Sequence, residues 1–295
     1  MQIEHTLRRL FPVLLIFLAA CNLQQEIDLE LPDYEPEVVV ESYLRPGQPF
    51  AAVLTRSVSF FDTLQLQYVR NATVVMSYGG RQDTLIPFEI ELGDQLLGQL
   101  IDTSLLANFG PLFGESVVLY ASLRPVPARY DLTYQLSVFT EEGDTLRAST
   151  QIPAPIPFES NNYRFNEEDR AILISAWQDN ANQANYYRRL LQERAERDSQ
   201  RVTRTLQDFV VDDAITNGGL VTVGTGFEFE VGDTLISSLY HITRDYWRFI
   251  ETRDDAIAAS LSPFSQPALL HTNIEGGQGI FTGLSLTTDT VFIQE

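Results

Sequence analysis

From Tyr130 to Val138 every second residue is apolar: Tyr130, Leu132, Tyr134, Leu136 and Val138. That period puts all five side chains on one face of an extended strand and the polar residues between them on the other. Runs of this kind recur along the chain. Val38, Val39 and Val40 lead through Tyr43-Leu44 to a stop at Pro46-Gly47; Ala52 to Val58, Thr73 to Tyr78 before Gly79-Gly80, Thr84 to Glu91 and Ser116 to Leu123 follow. Short strands separated by Gly, Asn and Pro turns predict a mainly β protein of immunoglobulin-like or jelly-roll-like β-sandwiches.

The division into domains is expected at Ile152-Pro153-Ala154-Pro155-Ile156-Pro157, where proline at every second position favours a stiff extended segment. It separates an N-terminal sandwich, 38–151, from a C-terminal β-rich domain, 158–295, with one or two short helices. In the second half Arg170 to Trp177 reads as a strand. Phe227, Phe229 and Val231 read as another, joined by a Gly232-Asp233 turn to Leu235–Ile242. Thr243 to Ala259 is expected as a helix, with Thr243 as N-cap and Tyr246, Ile250 and Ile257 on one face. Residues 186–209 are ambiguous, because Leu190, Leu191, Glu193 and Ala195 favour helix by propensity. Gly143-Asp144-Thr145-Leu146 recurs as Gly232-Asp233-Thr234-Leu235, with Asp-Thr-Leu again at Asp62 and Asp83, and reads as hairpin chemistry. Gly276, Gly277, Gly279 and Gly283 predict a tight turn or bulge where backbones approach closely, before a final strand through Val291 and Phe292.

The N-terminus has a separate logic. Arg8 and Arg9 precede an apolar run from Leu10 to Leu18, far short of the roughly 20 residues that span a bilayer. The run ends in Leu18-Ala19-Ala20-Cys21, and Cys21 is the single cysteine of the chain. The pattern resembles a bacterial lipobox: residues 1–20 form a signal peptide cleaved between Ala20 and Cys21, and Cys21 is lipidated. Each buried methylene of such a lipid contributes about 0.8 kcal/mol, so acyl chains hold a protein on a membrane without a spanning helix. Asn22 fits the sorting pattern for the outer membrane, and 21–37 reads as an acidic solvated linker.

Composition narrows the chemistry. Of the 295 residues 40 are acidic and 20 basic, a formal charge of −20, and every base is Arg. The absence of Lys excludes a P-loop and Schiff-base catalysis, and the acidic balance argues against nucleic acid as a partner. One cysteine excludes an internal disulfide and a multi-thiolate zinc site. His241 and His271 lack His-Glu-x-x-His spacing, and there is no Gly-x-Ser-x-Gly elbow. The adjacent carboxylates Asp212-Asp213 and Asp254-Asp255 point apart on a strand or a helix, so adjacency makes no catalytic dyad. Asp179, Asn180, Asn182 and Asn185 offer oxygen ligands of a kind calcium accepts, without EF-hand spacing. No catalytic residue, cofactor or metal site follows from these motifs. Trp177, Tyr186, Tyr187, Tyr246 and Trp247 are candidate contacts for a ligand or partner.

Taken in order, these segments resemble one family. Its marks are Cys21 with an acidic linker, Val38-Val39-Val40-Glu41-Ser42-Tyr43-Leu44, Thr55-Arg56-Ser57 with Phe60-Phe61-Asp62, and Tyr134-Gln135-Leu136-Ser137-Val138. The Pro-rich linker, Asn185-Tyr186-Tyr187-Arg188, Gly232-Asp233-Thr234, and Ser262-Pro263-Phe264 with Asn273 to Phe281 complete them. The chain resembles the Bacteroidetes lipoprotein family catalogued as domain of unknown function 4249. The resemblance implies a lipid-anchored, two-domain, mostly β protein of the outer membrane, often encoded beside TonB-dependent receptors, with no established reaction. It also implies a strand starting at Tyr186, here running into a solvated or partly helical insertion from Gln192 to Arg204. The expected role is a binding or accessory subunit of a TonB-dependent receptor or nutrient-uptake system. The alternatives are an adhesive or structural glycan-binding module and, third, a carboxylate-dependent hydrolase.

Overall fold

A computed structural model describes residues 34–59, 66–91, 116–197, 200–214, 217–260 and 269–295. The expected signal peptide, its cleavage site, Cys21, and the Phe60-Phe61-Asp62 and Ser262-Pro263-Phe264 segments lie outside the described residues. The chain is mainly β. The first half contributes β1 (Val38–Leu44), β2 (Pro49–Arg56), β3 (Gln67–Tyr68), β4 (Ala72–Tyr78), β5 (Arg81–Glu91), β6 (Ser116–Pro125), β7 (Thr133–Thr140) and β8 (Thr145–Gln151). The second contributes β9 (Ser160–Phe165), β10 (Ala171–Gln178), β11 (Tyr186–Arg197), β12 (Gln200–Asp212), β13 (Leu220–Gly224), β14 (Thr234–Ile242), α1 (Arg244–Ser260) and β15 (Gln278–Phe292).

Two strands change partners midway, and this turns a continuous path of pairings into layers. In β5, Arg81–Leu85 pair with β4 while Ile86–Glu91 pair with β6. The first sandwich thereby closes β1-β2-β6 over β4-β7-β8. Its core is drawn from alternate residues of both layers: Val40 and Leu44, Phe50 and Leu54, Met76, Tyr120, Tyr134, Leu136 and Val138. In β15, Gln278–Gly283 run parallel to β1, and Leu284–Phe292 run antiparallel to β14. The switch falls at Gly283, where a Cβ would lie 2.4 Å from the carbonyl oxygen of Gln151. Strand β15 therefore belongs to both halves of the chain, and Pro36–Glu295 form one compact unit. The second sandwich sets β12-β11-β14-β15 against the three-stranded sheet β13-β10-β9.

The Pro-rich segment is fastened along its length. Ile152 is buried in the first core, His241 Nδ1 donates to the Ala154 carbonyl at 2.7 Å, and Thr287 Oγ1 donates to that of Ile156 at 2.8 Å. The expected helix is present as α1, capped by Thr243, whose Oγ1 accepts the Tyr246 N–H at 3.3 Å. Tyr246, Phe249 and Ile250 pack on Tyr43, Ile242, Ile280 and Leu284, and the edge-on Tyr43–Tyr246 pair adds about 1 kcal/mol. Ile257 lies past this contact and is exposed. Beneath the helix the buried Arg188 forms a two-pronged ion pair with Asp208, both contacts at 2.7 Å, and its Nη1 donates to Tyr246 Oη at 3.0 Å.

Three local expectations change. Residues 186–212 form a hairpin of two long strands, β11 and β12, and no helix interrupts the described part. Helix propensity yields because Tyr186 to Arg194 also pair with β14, so both backbone edges of β11 are engaged. Phe227 to Val231 contribute only a single bridge, Phe229 to Ala171. The Gly-Asp turns at 143–144 and 232–233 open β8 and β14 as expected, with positive φ at both glycines. Asp83, by contrast, sits inside β5, where it accepts the Tyr78 hydroxyl at 2.8 Å.

Candidate functional site

The outer face of β7 and β8 forms the floor of an open polar groove of about 420 Å³. Tyr134, Leu136, Val138 and Leu146 turn inward, so Gln135, Ser137, Arg147 and Ser149 turn out; the register sets Gln135 opposite Ser149 and Ser137 opposite Arg147. The far wall is brought by the end of the chain. Glu275 exchanges both backbone bonds with Arg147, at 3.0 and 2.8 Å, and Asn273 is locked by side-chain bonds to the N–H and C=O of Phe281. The first turn of α1 supplies Asp245, whose Oδ1 lies 3.1 Å from His271 Nε2. His271 is itself tied down by its N–H, which donates to Thr252 Oγ1 at 2.8 Å.

The backbone adds two groups. Arg147 turns its N–H and C=O away from β7 toward Glu275, so its pairing with Ser137 is the non-hydrogen-bonded kind. By alternation, Ser149 also turns its N–H and C=O to the groove side. Among the described residues Arg147 makes no ion pair. The groove thus offers a guanidinium, an amide, two hydroxyls, a strand edge and two carboxylates. This set complements a ligand that both donates and accepts, such as a polyhydroxyl or an extended peptide. Among the described residues no hydroxyl is hydrogen-bonded to the His271 ring.

None of the five aromatic candidates lines this groove. Trp177 and Tyr187 are 0% exposed and meet edge-on at 5.5 Å in the second core, and Tyr246 is 1% exposed under α1. These three pack the interior and cannot stack on a ligand in this conformation. Tyr186 and Trp247 pair at 5.2 Å, half-buried beside α1. The oxygen-rich loop builds itself. Asp179 accepts from the Tyr187 hydroxyl and the Gly218 N–H, and Asn185 bonds Asp213 Oδ2 and the Asn180 carbonyl. Burial and the neighbouring Asp179 carboxylate raise the Tyr187 pKa. No group of three or more His, Cys, Asp or Glu suited to a metal occurs among the described residues. Asp213 is buried in this loop while Asp212 is half-buried on the other side of β12, and Asp254 and Asp255 are exposed on α1.

His241 is structural. It stacks on Tyr187 at 5.3 Å, and burial lowers its pKa below the ordinary 6.5. The unfolded chain therefore binds this proton more readily, so the neutral ring favours the fold above about pH 6.5 and that contribution falls away as pH drops below it. Urea midpoints measured from pH 7.5 to 5.5 are expected to decline more steeply in wild type than in His241→Gln; equal slopes contradict this assignment.

Comparison with curated proteins gives no match. Among solved structures, one titled as a cytokine receptor complex aligns over 87% of this chain and 97% of its own, at 10% identity and TM-score 0.23. A DUF4785 family protein from Legionella pneumophila aligns over 68% of this chain and 52% of its own, at 10% identity and TM-score 0.22. Both superpose too poorly to define a shared topology. The profile described as Domain of unknown function (DUF4249) matches residues 24–290, which contain every strand that builds the two sandwiches and the groove apart from the last two residues of β15. The chain belongs to the DUF4249 family.

Proposed function

We propose that this DUF4249 protein is a lipid-anchored binding subunit of the outer membrane that works beside a TonB-dependent receptor and engages ligand or receptor through the polar groove. The observation that carries the reading is the groove itself, where the Arg147 side chain, with no ion pair among the described residues, and Gln135 stand on the floor beside the outer edge of β8 at Ser149. The Leu18-Ala19-Ala20-Cys21 motif and the family resemblance support the anchor and the partner. In this reading the groove faces a partner held in the same membrane, and tethering raises the effective concentration of each for the other.

Tagged full-length protein, solubilised from outer membranes in mild detergent, is expected to bring down a large β-barrel receptor. Recovery only as a free monomer overturns the receptor role, and capture of polysaccharide by that monomer would favour an adhesive module. Cys21→Ser is expected to move the protein out of the membrane fraction with its fold intact, measured by fractionation and circular dichroism. Retention in the membrane would contradict lipid anchoring.

A further inference from the structure

The core of the second sandwich contains a cation with no counter-charge in contact among the described residues. Arg189 points from β11 between the two sheets and is 2% exposed. Its Nη1 donates to the Leu190 carbonyl at 2.6 Å and its Nη2 to Ser175 Oγ at 3.0 Å, while Nε has no acceptor. Among the described residues no carboxylate bonds it. Only two of the five N–H groups of a guanidinium are thus visibly used.

The neighbouring groups deepen the imbalance. Trp177 lies two residues beyond Ser175 on the same face of β10, and its indole N–H also lacks an acceptor. The Phe158 ring touches both, with the guanidinium 5.8 Å and the indole 6.4 Å from its centre. The hydroxyls of Ser175 and Ser237 both donate to Asn161 Oδ1, at 2.6 and 2.9 Å, and Asn161 Nδ2 donates to Asp289 at 3.0 Å. Asp289, the carboxylate nearest along this chain of bonds, therefore stands two side chains away from Arg189, at the surface. Burial lowers the guanidinium to a pKa of about 10, still well above neutrality, so the charge persists inside. Desolvating a charge beside neutral acceptors alone is strongly unfavourable unless an ion of opposite sign accompanies it.

We propose that the second sandwich binds a chloride ion in this layer, held by Arg189 and the indole N–H of Trp177. A small monatomic anion fits the observation that both donors are fully enclosed, whereas a carboxylate or phosphate ligand would need an opening to solvent. The role is structural: the ion completes the β10–β11 contact across the core and has no part in the groove.

Crystals of the protein grown in sodium bromide, with data collected at the bromine edge, are expected to show an anomalous peak within hydrogen-bond distance of Arg189 Nε. In solution, each tenfold rise in chloride above half-saturation, at constant ionic strength with gluconate, is expected to raise Tm by roughly 3–6 °C. Arg189→Met removes that dependence whatever its effect on Tm itself. If Arg189→Met does not fold, the bromide peak and the chloride–gluconate comparison on wild type still decide. A water without anomalous signal at this place, together with equal Tm in chloride and gluconate, overturns the proposal.

Discussion

Gly279→Ala is expected to destabilise the protein by about 4 kcal/mol, lowering Tm by roughly 8–16 °C. Gly279 sits where β15 runs alongside β1, at φ +111°, and a Cβ there would lie 2.0 Å from the Val40 carbonyl oxygen. The obstacle is backbone in the middle of the sheet, so no side-chain rotamer relieves it. Two effects contribute, positive φ and the clash, and Gly80→Ala separates them. Gly80 has φ +76° with nothing within 4 Å, so alanine there is expected to cost only about 1 kcal/mol. Thermal unfolding of both variants checks the difference; equal losses would mean that the close approach of β15 to β1 is not what holds the two sandwiches together. Gly283→Ala, at the point where β15 changes partners, is expected to behave like Gly279→Ala, since its Cβ would meet Gln151 backbone at 2.4 Å.

The second large effect concerns binding. Arg147→Glu is expected to weaken capture of the groove's partner at least thirty-fold, a loss of about 2 kcal/mol, because it replaces the groove's one strong cationic donor with a third carboxylate. The side chain is exposed and makes no ion pair among the described residues, so stability is expected to change by no more than about 0.5 kcal/mol. A large drop in Tm would show that Arg147 supports the fold instead. Its backbone bonds to Glu275 survive the substitution, so the groove wall stays in place.

Local pattern made much of the fold readable. Strands β1, β4 and β10 stand where alternation and turn residues put them, and α1 begins at the Thr243 cap; β7 starts only at Thr133, because Tyr130 and Asp131 form the turn before it and leave Tyr130 exposed. What alternation cannot express is partner exchange. That β5 and β15 each serve two sheets depends on pairings between distant segments, such as Val39 with Gln278, and no local period encodes them. The glycines at 276–283 were the visible trace: close approach was foreseeable, its partner strand was not. The hairpin at 186–212 was ambiguous because Leu, Arg, Glu and Ala favour helix by propensity, and only the pairing of β11 on both edges decides for strand.

The site was less legible for a related reason. Large aromatics attract attention as contacts, yet Trp177, Tyr187 and Tyr246 fill cores because a sandwich interior needs their area. The groove is made of small and common polar residues, Gln135, Ser137 and Ser149, that signal nothing singly. They become a site only when the chain end lays Asn273 and Glu275 beside β8 and α1 adds Asp245. Only the Gly143-Asp144 turn before Arg147 and Ser149 was marked; neither residue nor the wall opposite them was.

Filling the groove decides whether it is the surface that engages the receptor. Ser149→Trp projects a large ring over Gln135 without touching the core, so membrane attachment and Tm are expected to match wild type. Both proteins, tagged at the C-terminus and solubilised identically from outer membranes, are compared for the β-barrel receptor that each retains. Wild type is expected to retain the receptor and Ser149→Trp to lose most of it; equal retention by a folded, membrane-bound Ser149→Trp would mean that the groove is not the receptor-binding surface.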